Sequence, residues 1–146
     1  MGESELQRLQ REALADPDAF WAREAAELPW LTPWESVLEW TPPTFTWFAG
    51  ATTNITIACL DRHVEGGHGD RPALIWLRED GAERRLTYAE LLAEVERVAA
   101  ALRALGIERG DRITVSMPVS VEAITLMLAC ARIGAIHSVV FAGFGE

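Results

Sequence analysis

The chain has 146 residues, 49% of them apolar, and a formal net charge of -9. That length supports one domain with a buried core, and that apolar share excludes a wholly disordered chain. The acidity excludes a nucleic-acid partner, which needs a basic face.

The charge is unevenly spread. Residues 1–70 hold 12 Asp and Glu against 4 Arg, and residues 71–146 hold 10 against 9. The shift places a boundary near residue 70. Leu6, Leu9, Ala13 and Leu14 recur at helical spacing behind Ser4, a fitting N-cap. Asp16-Pro17-Asp18 restarts a helix, because Pro suits the first turn and acids suit the positive helix end. Phe20, Trp21 and Ala25 form its apolar side.

From Leu28 to Thr53 no period survives. Pro29, Pro33, Pro42 and Pro43 interleave with Trp30, Trp34, Trp40, Trp47 and Phe48. The stretch reads as irregular chain: either an aromatic groove for a proline-rich peptide or sugar, or an arm anchored by its tryptophans on a larger body. The arm is favoured, because Trp buries much area at little entropic cost. Thr53 or Asn54 then caps a helix to about Val64, with Ile55, Ala58, Cys59 and Arg62 near one face. His63, in its last turn, is expected to interact with the helix dipole. Glu65 to Asp70 reads as a linker.

Past residue 70 the pattern tightens. Pro72–Leu77 is a strand, Asp80-Gly81 a hairpin turn, and Arg84–Leu86 the return strand. Thr87 and Glu90 form a capping box. Leu91, Val95, Val98, Leu102 and Leu105 follow as one stripe, and Gly106 ends that helix. Arg112–Met117 is a strand closed by Pro118. The helix starting at Ser120 is apolar nearly all round, which requires burial on more than one side. Gly134 stops it, and Ala135–Phe141 is a third strand. A connection of that length makes the two strands a parallel, right-handed βαβ unit. The fold class is α/β: a helical and extended arm, then a β-hairpin and a parallel βαβ unit, as a piece of a larger layered domain.

Every basic residue is Arg, so no lysine nucleophile, Schiff base or phosphate-loop lysine exists in this sequence. Cys59 and Cys130 sit in apolar helical patterns and read as reduced thiols of a cytoplasmic protein. No apolar run is long enough to span a membrane. No catalytic residue and no metal-binding pattern stands out, and the acidic residues fall on faces that solvation explains. His137 reads as an ordinary strand histidine. One feature looks like a site: Phe141-Ala142-Gly143-Phe144-Gly145, at the carboxyl end of a parallel strand, where ligands of open α/β sheets bind.

Three stretches, FTWFAGATTNITIACLDRH, RRLTYAELLAEV and GDRITVSMPVSVEAITLMLACARIGAIHSVVFAGF, resemble the N-terminal part of AMP-forming acyl-CoA synthetases, closest to the acetyl-CoA synthetase group. The resemblance implies an acetyl-CoA-synthetase-like extension over 1–70 and the start of an adenylate-forming domain over 71–146. It implies an enzyme that joins a small, acetate-like carboxylic acid to ATP, with Mg2+, and hands the acyl group to coenzyme A. It puts the ATP loop, acyl pocket and catalytic lysine beyond residue 146, so the chain is expected to be a truncated and by itself inactive piece. It matches Phe141 and Gly143 to a turn that approaches coenzyme A, with Ala142 and Gly145 departing from the family's Gly and Ser. Two other readings stand beside it. One is a dinucleotide-binding domain, which needs a further Gly at position 148. The other is a non-enzymatic module using the Trp-rich arm. The apolar last strand, lacking its neighbours, is expected to promote self-association through an exposed sheet edge.

Overall fold

The computed structural model describes residues 4–140 of a mixed α/β chain that forms two units, Met1–Thr53 and Asn54–Glu146. Packing therefore divides the chain at 53/54, whereas charge composition shifts near 70.

In the first unit, α1 (Glu5–Ala15) and α2 (Pro17–Ala25) follow each other directly. Ser4 and Gln7 close a capping box on α1, and the Asp16 carboxylate accepts from the Ala19 amide at the start of α2. None of the described α1 residues is buried. The stretch read as irregular contains a hairpin instead: β1 (Ser36–Thr41) pairs antiparallel with β2 (Thr44–Ala49). Pro42-Pro43, joined by a cis peptide, makes the turn. The prolines masked the strands because they sit at the reversal and need no ladder hydrogen bond there, while Thr44–Trp47 alternates β-branched and aromatic residues. Trp30, Trp34 and Phe48 meet at ring separations of 5.3–5.5 Å, and the Trp30 indole donates to the Ala25 carbonyl at 2.7 Å. Trp21 also meets Trp47 at 6.0 Å, whereas Trp40 stacks on Phe45 and stays exposed. Phe48 holds a φ of 50°, unusual for a bulky residue, and its ring lies against Trp30, Trp34 and Trp47.

The second unit opens with winding helix over 55–68, containing two π-helical stretches, Ile57–Asp61 and Val64–His68. The expected linker is thus partly helical. Gly67, at a φ of 78°, departs from the helical region inside this last stretch. His63 does not end that segment; its ring packs on Tyr88 at 4.5 Å.

Two strands follow, β3 (Pro72–Leu77) and β4 (Glu83–Thr87), paired antiparallel with Gly81 at φ 83° in the turn. Helix α3 (Tyr88–Ala104) starts from the expected Thr87–Glu90 capping box. Its buried line is Leu91, Val95 and Ala99, with Val98 and Leu102 beside it. Leu105 departs from the expected stripe. It is 79% exposed, because it lies past the last helical residue, where the chain turns away. Strand β5 (Arg112–Val115), α4 (Val121–Ile133) and β6 (Ile136–Val139) form the expected parallel β-α-β run, with Arg112 opposite Ile136 and Val115 opposite Val139. The main core joins Leu60, Leu86, Leu91, Val95 and Ala99 to Val121, Ala129, Cys130, Ile133 and Ala135. Helix α4 is buried on several sides, as its composition required: Val121, Ala123, Thr125, Ala129, Cys130 and Ile133 are all covered. Among the described residues no helix is long and apolar enough to cross a membrane.

Candidate functional site

The carboxyl ends of parallel strands collect ligands because βα turns there leave backbone amides free and clear of side chains. In this chain that edge is formed by Val115 and Val139, which stand opposite each other, and the Val140 amide donates to the Val115 carbonyl at 3.0 Å. Val115 is buried and Val139 is half-exposed. The predicted site residues Phe141 and Gly143 lie just past this edge in sequence and outside the described residues.

At the other end of α4 is a polar cluster that sequence reasoning missed. The Asn54 amide donates to the carbonyls of Ala131 and Arg132, both at 3.1 Å, at the end of the helix, where the Ala131 carbonyl also accepts from the Gly134 amide. The Asn54 carbonyl oxygen accepts from the amide and hydroxyl of the fully buried Thr56, at 3.0 and 2.8 Å. Arg132 lays its fork on Asp61, at 2.8 and 2.9 Å, and also donates to Glu96 at 3.0 Å and to the Thr56 hydroxyl at 3.3 Å. The Asp61 and Arg132 side chains are only 18% and 22% exposed. The Arg132 hydrogen bonds hold the Asp61 carboxyl below its ordinary range, and Asp61 in turn raises the guanidinium. The signal for this cluster was a lone Arg ending an otherwise apolar helix, in Cys130-Ala131-Arg132. Such a charge needs a counter-ion, but its partner lies 71 positions earlier, beyond any local period.

Two pockets border these regions. A cleft of about 530 Å³ is lined by Trp76 to Asp80 and by Val119, and the Trp76 indole donates to the Val119 carbonyl at 3.0 Å. Arg78 there is paired with Asp80 at 3.3 Å, and with Glu79 also in the lining the cleft carries a net negative charge. A smaller hollow of about 310 Å³ lies beside Arg132, Glu96 and Arg103. Cys59 and Cys130 are both free, and burial raises both thiols, which makes them poor nucleophiles. Among the described residues no group of three or more His, Cys, Asp or Glu could hold a metal ion.

The model of the AMP-binding enzyme family matches residues 60–146, and that of the acetyl-coenzyme A synthetase N-terminus matches residues 6–59. An acetyl-coenzyme A synthetase of Gemmatimonas aurantiaca is 51% identical over 93% of this chain and 21% of its own length. That of Deinococcus radiodurans is 51% identical over 97% of this chain and 22% of its own. The solved structure of an acetoacetyl-CoA synthetase from Streptomyces lividans superposes with a TM-score of 0.89 at 33% identity, covering 98% of this chain and 22% of that one. The chain thus spans about a fifth of the length of the relatives it matches. With more than half of its residues under one family model, the chain belongs to the AMP-binding enzyme family.

Proposed function

We propose that the protein carrying this chain activates an acetate-like carboxylic acid with ATP and passes the acyl group to coenzyme A. A carboxylate oxygen attacks the α-phosphorus of ATP, and pyrophosphate leaves as the acyl-adenylate forms. The thiolate of coenzyme A then attacks the acyl carbonyl, and AMP leaves as the thioester forms. The observation that carries this reading is the 51% identity to acetyl-coenzyme A synthetases over more than nine-tenths of the chain, spanning both family models. The dinucleotide-binding and partner-module alternatives have no such support.

No catalytic residue is proposed within the 146. Phe141 and Gly143 are proposed as the turn that coenzyme A approaches, with Gly143 leaving room for the backbone to come close. Mg2+ would accompany the nucleotide, and the described residues offer it no ligand cluster. The two free thiols favour the cytoplasm.

The test uses the complete gene product. It is expected to catalyse acetate-dependent pyrophosphate exchange and thioester formation from coenzyme A, while residues 1–146 alone give no exchange. Loss of both reactions in the folded, complete protein overturns the reading. Gly143→Leu in that protein is expected to raise the KM for coenzyme A at least ~10-fold, or ~1.4 kcal/mol, with exchange nearly unchanged. Equal losses in both half-reactions would make Gly143 a structural turn glycine only.

A further inference from the structure

We infer that the open aromatic face of the 36–49 hairpin is a docking surface for the part of the same polypeptide that follows residue 146. The inference rests on membership of the AMP-binding enzyme family and is independent of the activity proposed above.

In an antiparallel pair, residues two apart on one strand share a face with the residues opposite them. Leu38 and Trp40 of β1 stand opposite Trp47 and Phe45 of β2, so these four line one face of the hairpin. Trp40 stacks on Phe45 at 5.9 Å with the ring planes 17° apart, yet the two residues are 67% and 58% exposed. Trp47 continues the face, as does Trp21 of α2, which meets it at 6.0 Å, and both are exposed. At about 150–250 Å² for each aromatic side chain, the open portions of the four rings come to roughly 300–500 Å². A continuous apolar patch of that size marks a contact surface, whereas apolar residues exposed singly do not.

Charge sets this hairpin apart from ordinary surface. Residues 40–53 include no charged side chain, although 24% of the whole chain is charged. Water-facing strands and turns ordinarily carry charges, so this stretch suits a neutral, apolar cover. The rest of the unit disfavours two other occupants. Residues 1–53 hold nine Asp and Glu against three Arg. Two such units face to face would repel each other, and an anionic lipid surface would repel one. The relatives supply the occupant. This chain spans 21–22% of the two acetyl-coenzyme A synthetases, so about four-fifths of such a polypeptide lies outside it. The chain also keeps its fold, at a TM-score of 0.89, within an acetoacetyl-CoA synthetase of which it covers 22%. A segment of the same molecule meets the patch at a high effective concentration, an advantage that no separate partner has.

The experiment takes the complete protein and makes two readings. In the first, the variant Trp40→p-benzoylphenylalanine is irradiated, and its cross-links are sized on a denaturing gel and mapped by peptide mass spectrometry. Cross-links from position 40 to peptides beyond residue 146, in a species of single-chain mass, are expected. In the second, hydroxyl-radical oxidation of Trp40 and Phe45 is followed in the wild-type protein at two protein concentrations. Oxidation should be about tenfold slower in the folded protein than in urea at both concentrations, as for side chains at the centre of a covered interface. Four outcomes overturn the inference: oxidation close to the unfolded rate, protection only at the higher concentration, cross-links joining two chains, or cross-links confined to residues 1–146. Where the variant does not fold or does not cross-link, the wild-type oxidation decides alone, because both rings are open within residues 1–146. Neither reading uses ATP, acetate or coenzyme A, so a protein that forms no thioester still decides the inference.

Discussion

At Asp61 the carboxylate and its guanidinium partner are mostly withdrawn from water, so the pair is worth more than a surface ion pair. Asp61→Asn is expected to destabilise the fold by about 1–2 kcal/mol at pH 7, read by urea denaturation. The sign of its pH dependence follows from the depressed folded-state pKa of Asp61, caused first by the Arg132 hydrogen bonds. The stabilisation is fully present above the unfolded value, about 3.9, and is lost as pH falls through the folded value. The gap between wild type and variant should therefore be constant from pH 7 to pH 5 and close below pH 4. A gap that stayed open in acid would mean the carboxylate charge is not what matters. Gly134 makes a second residue-scale case. It sits at φ 77°, and an added Cβ would stand 3.0 Å from Cγ of Arg109. Gly134→Ala should cost about 1–2 kcal/mol through backbone strain, with some further loss if Arg109 cannot move aside. A neutral Gly134→Ala in the same denaturation assay would refute this.

Two helices begin with the same reciprocal cap, yet the caps should matter unequally. Thr87 and Glu90 close the box on α3, whose Leu91, Val95 and Ala99 lie in the core. Ser4 and Gln7 close it on α1, which buries none of its described residues. A cap stabilises the fold only as far as its helix is coupled to the core. Thr87→Ala should therefore cost about 1 kcal/mol in global stability, and Ser4→Ala close to nothing. Equal midpoint shifts for the two variants in urea would show that α1 is more tightly coupled than its exposure indicates.

For the whole chain, the exposed apolar residues of its last strand decide the prediction. Ile136, Val139 and Val140 are 56%, 51% and 39% exposed. A parallel pair is ordinarily covered on both faces, and open apolar strands seek partners. Residues 1–146 prepared alone should self-associate as concentration rises, and should bind a hydrophobic dye. Sedimentation showing a dye-silent monomer at high concentration would count against an open edge.

Local order was legible wherever chemistry and period agreed within a few residues. The caps at Ser4, Asp16, Thr87 and Ser120, the Asp80-Gly81 hairpin and the parallel β-α-β run all follow from near neighbours in the chain. The family resemblance was legible too, because its motifs are contiguous runs. The hairpin at 36–49 was not, since Pro42 and Pro43 look the same in sequence whether they break a segment or turn one. Leu105 was misplaced because a period cannot say where a helix stops presenting its face. The Asn54–Asp61–Arg132 cluster lay beyond sequence reasoning altogether. Its members are brought together over more than 70 positions by packing of the 55–68 segment and α3 with the end of α4, and a charge pair carries no periodicity to announce it. The sequence alone determined most elements past residue 70 and, through contiguous motifs, the family resemblance. Only the tertiary structure decided which distant charges meet, because hydrogen bonds act over about 3 Å of space and not over any distance along the chain.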